Sequence, residues 1–162
     1  MRRAGSALAF LLMCAIFDSS KLPAAQKPPG LSLVETFQTY VDAVQKADLN
    51  RLFTTVTKNE KFIFLTSAGE LIGTREGYYK FHEEWFKQKN WEMPVELLES
   101  HEGKDYGYTV AAFHYRSKIS TGETSVLDSY FTLVFHREDG MWKVVAGICT
   151  PMSRYLSGAN TE

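Results

Sequence analysis

Apolar and polar residues alternate along the last third of the chain, and this pattern predicts β-strands joined by short polar turns. The clearest case is residues 128–150, where two apolar-rich strands flank the turn sequence Arg-Glu-Asp-Gly at 137–140. Two further strands are predicted at about 94–101 and at 106–117, each followed by a polar turn. Because turns this short join antiparallel neighbours, the four strands are predicted to form an antiparallel meander.

Three helices are predicted before these strands. Ser32 and Glu35 have the spacing of a capping box, in which each residue's side chain accepts a hydrogen bond from the other's backbone amide. Asp48 is expected to cap a second, shorter helix, and Thr74 a third helix of about four turns. A short apolar strand at 62–65 lies between the second and third helices.

This order of elements predicts one α+β domain at residues 32–152. Helices that precede a meander must cover one of its faces, because both elements have an apolar side to bury. Residues 26–31 contain two prolines and a glycine and are interpreted as a linker. The polar residues 153–162 are predicted to be a flexible tail.

Residues 1–25 have the layout of a secretory signal peptide. Arg2 and Arg3 form a basic start, an apolar run at 7–17 follows, and cleavage is expected near Ala25. The apolar run is too short to span a bilayer comfortably. The sequence therefore predicts an exported protein, either periplasmic or secreted.

The charge balance limits the classes of partner. The 162 residues include 18 basic and 19 acidic side chains, with a net charge of −1. A nucleic-acid-binding protein requires a basic patch, and a membrane-surface protein requires a basic amphipathic helix. Neither partner is expected once the signal is removed. Cleavage would also leave Cys149 as the single cysteine, so packing is expected to hold the fold without an internal disulfide.

The element order and three short motifs resemble the nuclear transport factor 2-like superfamily, in particular its SnoaL-like branch. The motifs are Tyr-Val-Asp-Ala-Val at 40–44, Gly-Thr at 73–74 and Asp-Gly-Met-Trp-Lys-Val at 139–144. The resemblance implies a cone-shaped, cystatin-like fold with three N-terminal helices packed on a strongly curved, mainly antiparallel sheet. It also implies a pocket in the open end of the cone and homodimers that pair through the convex face of the sheet.

The implied pocket is aromatic and apolar. By resemblance, the odd-numbered residues of the strands at 106–117 and 128–136 face into the cone. A ligand there would gain about 25 cal/mol for each Å² of apolar area removed from water. Alternatively, the same side chains contact one another and leave no cavity. The expected ligand-binding residues are Phe37, Tyr40, Phe64, Phe81, Trp85, Phe113, Phe131 and Leu133.

Ketosteroid isomerases of this superfamily provide a test for one chemistry. They use a carboxylate base, a tyrosine and a neutral carboxylic acid in an apolar pocket. Tyr40 matches the tyrosine, but Phe64 stands at or near the position of the base. Thr132 or Leu133 stands near that of the acid. This reaction is therefore not expected.

Three functions remain open. The leading hypothesis is an exported homodimer that binds a small, mainly apolar molecule, with Tyr40 and His82 as polar anchors. The second is an isomerase, cyclase or dehydratase in which the same two residues are the catalytic acid–base groups. His114 and Asp128 are expected to face away from the pocket. The third is an interaction module with a vestigial pocket. The four histidines lack metal-ligand spacing, and no glycine-rich phosphate loop occurs, so neither a metal nor a cofactor is expected.

Overall fold

The computed structural model describes residues 30–118 and 122–152. Segment 1–25, most of the linker and the tail at 153–162 lie outside the described residues, so the predictions made for them stay predictions. None of the helices in the described ranges is long and apolar enough to cross a membrane. The helices are α1 (Leu33–Gln45), α2 (Leu49–Thr55) and α3 (Arg75–Lys87). The strands are β1 (Lys61–Leu65), β2 (Leu71–Thr74), β3 (Trp91–Glu92), β4 (Val95–Glu102), β5 (Tyr106–Lys118), β6 (Thr124–Glu138) and β7 (Met141–Pro151).

All three helices begin at the predicted capping residues. Ser32 Oγ accepts from the Glu35 amide at 3.3 Å, and the Glu35 carboxylate accepts from the Ser32 amide at 2.7 Å, so the capping box is confirmed. Asp48 caps α2, and Thr74 caps α3, each by accepting from a backbone amide in the first turn. These local bonds satisfy amides that have no partner within the helix, which is why the helices begin there.

The strands form one mixed, mostly antiparallel sheet in the order β2-β1-β7-β6-β5-β3, and β4 also pairs with β5. The meander from β4 to β7 is antiparallel as predicted, while β1 joins β7 in parallel. Irregular register within the β4–β5 and β6–β7 pairs marks bulges, which bend a strand. The three helices pack on one face of this sheet, so the α+β class is confirmed.

The final hairpin has a tighter turn than the sequence suggested. The strands continue to Glu138 and restart at Met141, so only Asp139 and Gly140 form the turn. Both have positive φ angles, 49° and 79°, as a two-residue type I′ turn requires. Arg137, expected in the turn, is instead the penultimate residue of β6.

The core lies between the helices and the odd-numbered residues of β5 and β6, as predicted. On β5 the odd-numbered residues from Gly107 to Phe113 are buried, and so is Ala112 between them. On β6 Ser129, Phe131, Leu133 and Phe135 are all buried. The same face also carries Phe113, Phe131 and Leu133, which are the predicted pocket residues of these two strands.

Gly147 on β7 determines where the ring of Phe64 lies. Phe64 of β1 pairs with Gly147, and a Cβ at position 147 would lie 2.5 Å from two ring carbons of Phe64 and 3.0 Å from Leu133. The ring therefore occupies the space that a side chain at this position would need.

We expect Gly147→Ala to lower the free energy of unfolding by about 1 to 3 kcal/mol, because the buried ring of Phe64 must move to admit the methyl group. Urea unfolding followed by circular dichroism measures this loss. Gly73→Ala is the matched control, since a Cβ there meets nothing within 4 Å. Equal stability of the two variants would contradict the proposed clash.

Candidate functional site

A cavity of about 470 Å³ lies between α1, α3 and the inner face of the sheet. Four of its residues, Thr66, Ser67, Ala68 and Glu70, come from the connection between β1 and β2, and Cys149 of β7 also contributes. Most of the wall is aromatic or aliphatic. The aromatic wall consists of Tyr40, Phe64, Phe81, Trp85, Phe113, Tyr115 and Phe131.

The structure brings seven of the nine residues predicted for the site to this cavity. They are Tyr40, Phe64, Phe81, His82, Trp85, Phe113 and Phe131. Phe37 and Leu133 do not border it. Phe37 is only 3% exposed and stacks on Phe131 with ring centroids 6.0 Å apart, and Leu133 is fully buried. At their level the helix and sheet are in direct contact, so both residues belong to the packed core behind the wall.

Tyr78 also belongs to this site, although it is not among the residues predicted from the sequence. It is fully buried on α3, and its hydroxyl forms a hydrogen bond with the hydroxyl of Tyr40. Its backbone carbonyl lies 3.0 Å from Nδ1 of His82, one helical turn later. Tyr78 therefore connects Tyr40 and His82, the two residues predicted to be polar anchors or acid–base groups. In the sequence, the spacing of four residues between Tyr78 and His82 places them one helical turn apart, and this could have indicated their contact.

The two phenols stay protonated. Burial raises the pKa of Tyr40 far above its usual range, and the hydrogen bond to Tyr78 only partly offsets this. Burial also raises the pKa of Tyr78, and its proximity to Tyr40 raises it further. A pair of hydroxyls joined by one hydrogen bond retains one O–H that is not used between them. Tyr40 borders the cavity, so its hydroxyl can donate to a bound molecule when Tyr78 is the donor within the pair.

His82 is a neutral imidazole in this environment. It is 2% exposed, and burial lowers its pKa to about 4, although the hydrogen bond to the Tyr78 carbonyl acts in the opposite direction. The ring lies against Tyr78, Phe81 and Phe86 in edge-on contacts. A carbonyl accepts, so Nδ1 must carry the proton and donate. Nε2 is left with a lone pair.

Cys149 adds a thiol to the wall. Burial raises its pKa to about 11, and a hydrogen bond with Ser67 lowers it only in part. A thiolate, rather than a thiol, is the reactive nucleophile. Cys149 is partly exposed, and while its thiol stays protonated it contributes a weakly polar surface to the wall.

Among the described residues, the charged side chains that border the cavity are those of Glu70 and Glu84. Both side chains are exposed, and Glu84 forms an ion pair with Lys87 at 2.5 Å. No group of three or more potential metal ligands occurs within residues 30–118 and 122–152. His114 and Asp128 contact each other at 3.0 Å on the even-numbered face of β5 and β6, away from the cavity.

The family model for the SnoaL-like domain matches residues 33–147. A comparison with curated proteins found no match. Three solved structures illustrate the similarity in fold. A ketosteroid isomerase-like protein from Erwinia carotovora atroseptica has 14% sequence identity and a TM-score of 0.62, over 75% of this chain and 94% of that chain. An uncharacterised protein with a cystatin-like fold from Caulobacter vibrioides has 14% identity and a TM-score of 0.65, over 75% and 88% of the two chains.

The third is a proposed dehydratase of the nuclear transport factor 2-like family from Streptomyces avermitilis. It has 11% identity and a TM-score of 0.63, over 76% of this chain and 95% of that chain. At such identities the likeness shows the fold alone. The family match covers nearly all of the described residues and shows that the chain belongs to the SnoaL-like domain family.

Proposed function

We propose that this protein is an exported binding protein for a small, mainly apolar molecule that occupies the cavity. The proposal rests on one observation. The cavity combines an aromatic wall with the hydrogen-bonded, buried hydroxyls of Tyr40 and Tyr78. A volume of about 470 Å³ lies within the usual range for small-molecule sites. The layout of residues 1–25 is the basis for export.

The wall supplies most of the binding free energy in this proposal. Each Å² of apolar surface that leaves water contributes about 25 cal/mol, and seven aromatic rings offer a large apolar contact area. Tyr40 supplies orientation instead, because its hydroxyl can donate to an oxygen of the ligand. A collapsed, vestigial pocket is disfavoured by the size of the cavity.

Binding is favoured over catalysis by the state of the polar groups. A general base works best when its pKa lies near the operating pH, whereas burial lowers the pKa of His82 to about 4. In the described part of the chain, the carboxylates that border the cavity are Glu70 and Glu84, and both are exposed. Phe64 forms part of the wall near the position expected for a carboxylate base. Removal of a proton from a bound ligand would therefore lack an effective acceptor.

An isomerase, cyclase or dehydratase is the second candidate. It is favoured by one observation, namely that a tyrosine hydroxyl and the unprotonated nitrogen of a histidine border the same cavity. A ketosteroid isomerase-like protein and a proposed dehydratase share the fold. For an enzyme, Tyr40→Phe and His82→Phe would abolish turnover of a substrate that still binds. A binding protein would show only altered affinity in both variants.

We expect methyl β-naphthyl ketone to bind to the wild-type protein, with Tyr40→Phe weakening its affinity about 2- to 10-fold through loss of one hydrogen bond. The affinity for naphthalene should be unchanged, because naphthalene has no oxygen. Isothermal titration measures both affinities.

Val41→Trp should abolish binding of both probes, because Val41 borders the cavity and an indole would fill it. Gln38→Trp introduces the same side chain at an exposed position of α1 and is expected to leave binding intact. A Val41→Trp protein that binds as well as wild type would contradict the cavity as the binding site.

We also propose that two copies pair through the outer face of the sheet. Exposed apolar side chains occur there on β5, β6 and β7, while the helices cover the opposite face. They include Tyr108, Val126, Tyr130 and Ile148. A sheet face that exposes several large apolar side chains is typical of an interface, and a stable interface buries about 1,600 Å² in total.

Light scattering at micromolar concentration is expected to give the mass of a dimer for the wild-type protein. The double variant Val126→Lys, Tyr130→Lys should be monomeric, because it would place lysines within an apolar interface. Gln38→Lys on the helical side is the control and should remain dimeric. A monomeric wild-type protein would rule out this interface.

A further inference from the structure

The side chain of His82 has one polar atom that nothing in the described part of the protein uses. Nδ1 is bonded to the carbonyl of Tyr78, and Nε2 has no hydrogen-bond partner among residues 30–118 and 122–152. Among those residues, Oγ1 of Thr109 is the side-chain polar atom that has neither contact with solvent nor a hydrogen-bond partner, and Nε2 of His82 is not in this state. Nε2 therefore retains some accessible surface, although the residue is only 2% exposed. His82 is one of the residues that border the cavity, and we infer that this surface faces it.

Whether Nε2 carries a proton is determined by the hydrogen bond that Nδ1 forms on the other side of the ring. The Tyr78 carbonyl accepts a hydrogen bond and cannot donate one, so it selects the tautomer with the proton on Nδ1. The pKa of about 4 keeps the ring in this neutral form at ordinary pH. Nε2 is consequently an acceptor that faces a largely apolar space, where an unsatisfied polar atom is costly.

The charges around the cavity restrict the ligand further. No lysine or arginine of the described residues borders it, and the charged side chains that do are Glu70 and Glu84. A carboxylate buried there would lose its hydration without gaining a cationic partner. His82 does not supply that charge, because its ring is neutral.

We propose that the ligand is not an anion and carries an O–H or N–H group that donates a hydrogen bond to Nε2 of His82. This inference rests on the proposed function and adds a chemical class to it. His82 would be the residue that selects for a donor, whereas Tyr40 offers a donor to an oxygen. The ligand class is therefore an alcohol, phenol, amide or similar donor-bearing molecule with an apolar body.

Three naphthalene derivatives test separately whether the ligand needs a hydrogen-bond donor and whether an anion is excluded. β-Naphthol has an O–H donor, methyl β-naphthyl ether has the same oxygen without the donor, and β-naphthoate is an anion of similar size. For the full wild-type chain near neutral pH, titration calorimetry is expected to show β-naphthol binding about 2- to 10-fold more tightly than its ether. β-Naphthoate should bind at least about 10-fold more weakly than β-naphthol.

His82→Phe removes Nε2 while keeping an aromatic ring, so the preference for β-naphthol over the ether should fall to about 1-fold. Tyr40→Phe is the matched control. It removes a donor that either probe's oxygen can use, so both probes should weaken together and the preference should persist.

A measurement on the wild-type protein avoids any folding defect in His82→Phe. NMR of the imidazole nitrogens should show a protonated Nδ1 and an unprotonated Nε2, with Nε2 shifting more on addition of β-naphthol than of its ether. A protonated Nε2 would overturn the proposal.

The outcomes distinguish this inference from the proposed function. If β-naphthol and its ether bind equally to the wild-type protein, the role of His82 fails while the cavity remains a binding site. Tighter binding of β-naphthoate than of β-naphthol would contradict the exclusion of anions. If naphthalene and all three probes fail to bind at millimolar concentration, the proposed function fails and this inference fails with it.

Discussion

The structure depends on the burial of Tyr78, because this one side chain joins the helices to the sheet beside the cavity. Its ring centroid lies 4.6 Å from that of Phe62, 4.9 Å from Phe64 and 4.2 Å from His82. A phenol buried so completely needs a hydrogen-bond partner, since an unsatisfied hydroxyl costs about 1 to 3 kcal/mol. Tyr40 on α1 provides that partner, so ring packing and hydroxyl pairing together determine how α1 and α3 approach.

The same burial keeps the polar groups of the cavity uncharged. Desolvation raises the pKa of Tyr40 and of Cys149 and lowers that of His82, so each group is held in its neutral form. A cavity of this kind recognises a molecule through apolar contact and a few hydrogen bonds of defined direction. It is poorly suited to stabilise a charge that develops during a reaction, and this is the physical basis for proposing binding rather than catalysis.

The success and failure of the sequence predictions have different physical causes. The capping residues Ser32, Asp48 and Thr74 were predicted because a cap is a local interaction within one turn of helix. Phe37 and Tyr40 were both expected to contact the ligand from the face of α1 that packs on the sheet. Which residues on that face meet open space, however, depends on where the helix and sheet separate. Only long-range packing decides this, and it placed Phe37 in the core.

By itself, the sequence determined the α+β class, the three helices and the antiparallel meander, because these follow from periodicity, caps and turn lengths along the chain. Through its resemblance to a known family it also indicated seven of the residues that border the cavity, among them Phe113 on β5 and Phe131 on β6. The tertiary structure alone decided that Tyr78 lies between Tyr40 and His82, and that a proton resides on Nδ1 rather than Nε2. Those features arise from contacts between separate elements and from removal of water, neither of which a local pattern of residues records.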